Sequence, residues 1–190
     1  IYCYHPDIQK NIDKSIYYFK CAADQNDAQS KVYLGYIYFH EIKYRDINKS
    51  IFYLTAAANA NDPKAQNSLG DIYSSKEFGV HNIEKAIYYY SLAAENGEPN
   101  AQNNLGFLYF YDNEIPRDID KAIYYWTLAA NQNNPNAQCY LGILYLYVCF
   151  TSHDIKKAIF YLSQSAQQNN SRAQCYLGFI YYEGKYVPRN

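Results

Sequence analysis

Apolar positions along the chain recur at helical spacing. Isoleucines four residues apart stand at Ile12/Ile16, Ile47/Ile51, Ile83/Ile87, Ile119/Ile123 and Ile155/Ile159, each followed by a small pair such as Ala93-Ala94 or Ala129-Ala130. This is the period of an amphipathic helix, not the alternation of a strand. One phrase introduces each isoleucine pair, as in Asn11-Ile12-Asp13-Lys14-Ser15-Ile16 and Asp118-Ile119-Asp120-Lys121-Ala122-Ile123, and it opens at Asn11, Asp46, Asn82, Asp118 and Asp154. The short side-chain oxygen of Asn or Asp can accept from the unpaired N–H groups of a first helical turn. Five helices, termed B, are therefore expected to begin near residues 12, 47, 83, 119 and 155.

Between these phrases a second one returns: Leu34-Gly35-x-x-Tyr38, Leu69-Gly70-x-x-Tyr73, Leu105-Gly106-x-x-Tyr109, Leu141-Gly142-x-x-Tyr145 and Leu177-Gly178-x-x-Tyr181. Its glycines are spaced 35, 36, 36 and 36 residues apart. This partner helix, termed A, is expected to start near 28, 63, 99, 135 and 171. In the middle copies Asp62-Pro63, Glu98-Pro99 and Asn134-Pro135 put proline just inside the helix, where its missing N–H has no intrahelical partner anyway. A mid-helix glycine costs about 1 kcal/mol relative to Ala, so its recurrence needs a packing reason. Close approach of helix B, with the small pairs as complementary surface, supplies one. A period of this length is the signature of stacked helix pairs in which no unit buries its apolar face alone. The fold class is all-α, and function belongs on an extended surface.

Units reading Ala-Gln-x-x-Leu-Gly-x-x-Tyr, a loop, then Asp-x-x-Lys-Ala-Ile-x-Tyr-Tyr-x-x-Ala-Ala resemble Sel-1-like repeats, relatives of tetratricopeptide repeats. Ala65-Gln66, Ala101-Gln102, Ala137-Gln138 and Ala173-Gln174 carry the first part, and Val80, Ile115 and Val187 fill the loop's usual apolar place. The family's loop glycines survive only at Gly79 and Gly184, and the first repeat's loop is one residue shorter. The resemblance covers essentially the whole chain and implies a right-handed superhelical solenoid of about five helix-pair repeats, read as one array over residues 1–190. Ile1-Tyr2 matches the end of a helix A, Asn190 falls at the cap of a sixth helix B, and there is no Met, so the chain reads as a piece of a longer array.

Composition narrows the chemistry. A net charge of −1 and a pI near 6.5 give no electrostatic footprint for nucleic acid or anionic lipid. No apolar run approaches the ~20 residues of a membrane span. The five cysteines, Cys3, Cys21, Cys139, Cys149 and Cys175, are an odd and irregular set. Cys139 and Cys175 hold equivalent places in consecutive repeats, and stacked helices roughly 9–10 Å apart exceed the ~7 Å Cα limit of a disulfide. Free thiols and a reducing, cytoplasmic compartment follow as expectations, and the cysteine-stapled bacterial branch of the family is a poor match. Asn48-Lys49-Ser50 and Asn169-Asn170-Ser171 fit the glycosylation sequon at the rate an Asn-rich chain gives by chance. His5, His40, His81 and His153 fall in loops or at a helix end with no metal-ligand spacing. No phosphate cradle, nucleophile elbow or acid/base pair stands out, so no catalytic residue, metal or cofactor is expected.

Surface remains. The resemblance implies that helix A lines a concave face, with the residues after the Gly and after the Tyr pointing into it. The partner-binding candidates are Tyr36, Phe39, Phe107, Phe110, Tyr111, Ile143, Leu146, Tyr147, Phe179 and Tyr182; around Asp71, Ser74 and Ser75 the same face is polar. An apolar groove with a polar rim suits an amphipathic helix or an extended peptide. The competing reading buries Phe107, Phe110 and Ile143 between neighbouring A helices. A second stripe, Tyr17, Phe52, Tyr88, Tyr124 and Phe160 on helix B, fits either self-association or a solvated or inter-repeat packing role. With 25 Tyr among 190 residues, drift toward AT-rich codons competes with function as the expected source of this aromatic excess. The expected function is a non-catalytic protein-interaction scaffold. The competing classes are an accessory region of a larger enzyme such as a protein kinase, and a secreted cell-envelope repeat protein. The oligomeric state stays open.

Overall fold

The computed structural model of the protein describes residues 11–147 and 152–183, with the side chains of residues 152 and 153 not included. Ten α-helices occupy them: α1 Ile12–Ala23, α2 Ala28–His40, α3 Ile47–Ala58, α4 Pro63–Ser74, α5 Ile83–Glu95, α6 Pro99–Tyr111, α7 Ile119–Asn131, α8 Pro135–Tyr147, α9 Ser152–Gln167 and α10 Ser171–Glu183. The odd-numbered helices are B and the even-numbered A. Cys3, His5, Cys149, Gly184 and Val187, the residues matched at each terminus, and the side chain of His153 lie outside the described residues. The chain divides into two compact units, one ending at Asn82 and one beginning at Ile83.

The helix starts are set by short-range chemistry. Asn11, Asp46 and Asp118 accept from the backbone N–H three residues on, at 2.9, 3.0 and 2.9 Å. Hydrogen bonds from Lys49 to Asp46 and from Lys121 to Asp118 hold both carboxyls below the usual carboxylate range. Each A helix has its own cap: the side chains of Asp27, Asp62, Glu98, Asn134 and Asn170 accept from first-turn N–H groups. Helix α9 departs from expectation by starting at Ser152, so Asp154 sits in the first turn instead of capping it. A carboxylate there still favours the positive end of the helix dipole.

Every B-to-A connection has the same build. Asn26, Asn61, Gly97, Asn133 and Asn169 have φ between 62° and 82°, a left-handed conformation that Gly adopts freely and Asn better than most residues. Their N–H groups bond three residues back, and the next residue's N–H reaches five back, as in Asn133 to Ala130 O at 2.9 Å and Asn134 to Ala129 O at 3.0 Å. This is a Schellman stop, and the residue that completes it is already the N-cap of the next helix. One helix therefore ends and another begins within a few residues. The return from A to B is tied by the repeated tyrosine, whose carbonyl accepts from the cap residue's N–H: Tyr38 from Asp46, Tyr73 from Asn82 and Tyr109 from Asp118. The shorter first loop forms a 3₁₀ turn, Ile42–Tyr44.

Packing turns on the helix-A glycines. A Cβ placed on Gly35 would lie 2.5 Å from Leu54, one on Gly106 2.5 Å from the Trp126 ring, and one on Gly142 2.6 Å from Leu162. The glycine admits a large side chain from the following helix B, together with a small residue beside it: the Ala158 carbonyl oxygen lies 3.2 Å from the added atom on Gly142, and Ser50 Oγ donates to Gly35 O at 2.9 Å. The small pairs have a different role from the one expected. Ala129 and Ala130 are buried with Ala137, Leu141 and Leu144 of the next helix A. Trp126 is 1% exposed and donates from Nε1 to Asn103 O at 3.2 Å, which satisfies the indole while its ring burial stabilises by about 2–3 kcal/mol.

The repeated Gln66, Gln102, Gln138 and Gln174 donate to the carbonyls of Ala58, Ala94, Ala130 and Ala166 at the ends of the B helices. In the second unit their oxygens also accept from the next turn, Gln132 to Gln102 at 2.8 Å and Gln168 to Gln138 at 2.9 Å. A parallel rung runs from Asn134 to Asn100 and from Asn170 to Asn136. Within the units, α2 meets α4, α6 meets α8 and α8 meets α10, whereas within either unit no described B helix packs on another B helix. Helices A thus form the inner row of each unit.

Gly106→Ala is expected to destabilise the protein by about 1–2 kcal/mol, the overpacking cost outweighing the helix-propensity gain. At Gly178 an added Cβ meets nothing within 4 Å, so Gly178→Ala should be neutral or stabilising by up to about 1 kcal/mol. Denaturant melts of the two variants check this; equal losses would show that the Trp126 contact does not set the cost.

Candidate functional site

The inner A-helix row of the second unit carries a connected aromatic surface. Phe107 and Tyr111, one turn apart on α6, have ring centroids 5.0 Å apart, and both reach Tyr140 of α8, at 5.8 and 6.1 Å. Tyr140 stacks on buried Trp126 at 5.1 Å, and Phe110 approaches the same indole at 5.5 Å. Further along, Tyr147 meets Tyr176 of α10 edge-on at 6.1 Å. Two guanidinium groups lie over these rings: Arg117 at 4.0 Å from the Phe110 centroid and Arg172 at 5.5 Å from that of Tyr140. Burial pushes the Tyr140 phenol up, opposed by the Arg172 charge. Within α6 and α8 there is no charged side chain.

The sequence-selected residues divide accordingly. Phe107 and Tyr111 are each 41% exposed and Tyr147 is 54% exposed, with Phe179 and Tyr182 of α10 more open or comparable. Phe110 is half-buried between Trp126 and Arg117, and Leu146 is half-buried against the last core cluster. Ile143 is a correction: at 8% exposure it belongs to a core with Cys139, Leu162, Ala173 and Ile180. It follows its glycine as Phe107 does, but its short branched side chain stays against the core, while the Phe107 ring extends to Tyr111 and Tyr140. In the first unit Tyr36 and Phe39 are half-buried, Phe39 lying edge-on to Phe78 at 5.4 Å. There the polar stretch is internally bonded, Asn67 donating to Asp71 and Ser74 Oγ to the Asp71 carbonyl.

Sequence reasoning missed Tyr140, Tyr176, Trp126 and Arg172. Tyr140 and Tyr176, like Tyr33, stand immediately before the Leu-Gly phrase, where the other two copies have Ser68 and Asn104; that recurrence was the available signal. The helix-B stripe is exposed, from 55% at Phe160 to 68% at Phe52. Its rings pack edge-on against the adjacent tyrosine of their own helix, as Tyr124 does on Tyr125 at 5.1 Å. That inner tyrosine stacks on the Leu-Gly-x-x-Tyr residue, Tyr125 on Tyr109 at 5.9 Å, beneath Lys121 at 4.9 Å.

Among the described residues no group of three or more His, Cys, Asp and Glu side chains could hold a metal ion, and no helix is long and apolar enough to cross a membrane. Cys21 and Cys175 are exposed free thiols, and Cys139 is buried, its pKa pushed up to about 11 by that burial.

Repeated helix pairs packed through the same glycine notch define a helical-repeat solenoid protein. The model described as "Sel1 repeat" matches residues 2–27, 28–62, 63–98, 99–134, 135–170 and 171–190, and the chain belongs to the Sel1 repeat family. Among solved structures it is similar to a Sel1 repeat protein from Oxalobacter formigenes, at 30% identity and TM-score 0.83 over 95% of this chain and 74% of that one. It is also similar to c5321, a protective antigen present in uropathogenic Escherichia coli strains that displays the same fold, at 26% identity and TM-score 0.86. That match covers 92% of this chain but spans only 38% of the length of c5321. The immunity protein Pa5087 of Pseudomonas aeruginosa, 18% identical with TM-score 0.59 over 96% of this chain and 67% of that one, shares the fold. No curated protein matches the chain. Sel1 repeat proteins generally act as protein-interaction scaffolds, and the family is generally non-catalytic.

Iodoacetamide at pH 8 should label Cys21 and Cys175 at least about tenfold faster than Cys139, whose thiolate fraction there is about one in a thousand. Peptide mass mapping over time checks this, and equal rates would contradict the burial of Cys139.

Proposed function

We propose that this chain is a non-catalytic scaffold that binds a partner protein or peptide on the inner A-helix surface of its second unit. The observation that carries the reading is the cluster of exposed Phe107 and Tyr111 on half-buried Tyr140, with exposed Tyr147 against Tyr176 further along, on helices otherwise occupied by core contacts. Such a surface, apolar at its centre with amides and guanidiniums at its edge, suits an amphipathic or extended segment. Phe179 and Tyr182 continue it along α10, and half-buried Phe110 and Leu146 form its floor. Tyr36 and Phe39 offer a smaller patch in the first unit. The free thiols Cys21, Cys139 and Cys175 support a reducing, cytoplasmic setting. No nucleic acid or membrane partner is proposed, given the near-neutral charge.

Phe107→Ala combined with Tyr147→Ala should shift Tm by no more than about 3–4 °C, the rings being 41% and 54% exposed. The same pair should weaken capture of a partner by about tenfold or more, as loss of aromatic anchors does. Affinity capture with wild-type and doubly substituted protein, followed by mass spectrometry and a thermal melt, tests both. A partner retained equally by the two proteins would overturn the site, and a large loss of stability would show that the rings are core.

A further inference from the structure

A cleft of about 360 Å³ opens between the start of α8 and the start of α10 in the second unit, lined by Asn136, Cys139, Tyr140, Asn169, Asn170, Ser171 and Arg172. Its polar groups are unbalanced. Asn136 Oδ1 is taken by Asn170 Nδ2 at 3.2 Å, and Asn170 Oδ1 is taken by the Ala173 N–H at 3.1 Å. The Asn136 and Asn170 amide oxygens are thus engaged within the protein, and beside the Asn169 amide and the Ser171 and Tyr140 hydroxyls the one charged group of the lining is the Arg172 guanidinium, a donor without acceptor capacity.

Arg172 is exposed, lies over the Tyr140 ring and interacts with the Tyr140 and Tyr176 phenols. Two phenols leave part of its five-donor fork unused. Among the described residues no carboxylate pairs with it, and α6 and α8, the neighbouring inner helices, contain no acidic side chain. A planar guanidinium as the only charged group of the lining matches a carboxylate, which accepts two parallel N–H bonds from arginine. Tyr140 ties the cleft to the aromatic surface, because the same ring contacts Phe107 and Tyr111.

We propose that this cleft seats the side-chain carboxylate of an Asp or Glu in an extended partner segment whose flanking apolar residues lie on Tyr140, Phe107 and Tyr111. The proposal rests on the scaffold reading and names the partner's chemistry: an acidic residue between apolar ones. The charged group supplies orientation and register more than affinity, since Arg172 remains in contact with water.

The test is an amide-resolved NMR titration of the full chain with a pool of acetylated, amidated pentapeptides that carry Glu between aromatic or aliphatic residues, beside the same pool with Gln. The Glu pool should shift amides around 139–140 and 169–172 as well as those of Phe107 and Tyr111. It should bind roughly five- to tenfold tighter than the Gln pool. Arg172→Gln should remove that preference and Arg172→Lys restore part of it, with melts of both variants near wild type. Equal binding of the two pools would overturn the carboxylate site and leave the aromatic scaffold surface standing. A preference seen only with Gln peptides carrying a free C-terminal carboxylate would overturn the side-chain assignment in favour of a chain terminus. Shifts from neither pool would overturn both readings.

Discussion

Everything in these two units depends on how closely one helix lets the next approach at a single glycine. Leu54, Trp126 and Leu162 each occupy space that the Cβ of Gly35, Gly106 or Gly142 would fill. Glycine costs about 1 kcal/mol in a helix interior, and burying a Leu or Trp side chain in the notch offsets that by about 2–3 kcal/mol. Trp126 shows that the notch fixes position rather than residue type. A ring much larger than leucine fits because the small residues Ala122 and Ala129 of the same helix are fully buried around it, and its N–H finds the Asn103 carbonyl.

The polar groups do a different job. Each stop in the left-handed conformation becomes the next start, so helix lengths and connections are held nearly constant, and the repeated glutamine satisfies the second lone pair of a carbonyl that already accepts the N–H of the left-handed residue. In the second unit the Gln102–Gln132 and Gln138–Gln168 bonds extend that satisfaction from turn to turn. Because glycine notches, caps and glutamines together account for the fold, the inner-face positions after the glycine are free to vary. They hold an aspartate at Asp71, aromatics at Phe107 and Phe179 and a core isoleucine at Ile143, and the proposed recognition surface draws on that variation.

What was legible in the sequence is what is local. The caps at Asn11, Asp46 and Asp118 depend on an oxygen and an N–H three residues apart, so the order of residues reveals them directly. Helix α9 shows the limit of that logic, since Asp154 could serve as a cap or as a first-turn acid and the chain places it in the turn. The recurring glycine announced a close contact, but the group filling it lies about twenty residues on, across a helix packing that spacing alone does not resolve. For the same reason Ile143 and Phe107 read alike in the repeat and differ in exposure, and Tyr140 and Arg172, which connect the aromatic surface to a cleft, were absent from the sequence-selected set. Their role arises from neighbours on other helices.

The claim that the glycine notch and its occupant act as one unit is tested most directly by a double-mutant cycle in denaturant melts, using Gly106→Ala and Trp126→Ala singly and together. If Trp126 fills the notch, the penalty of Gly106→Ala vanishes once the ring is removed, giving a coupling of at least about 1 kcal/mol. Additive losses would show that the two residues are independent and that helices A and B are held by something else.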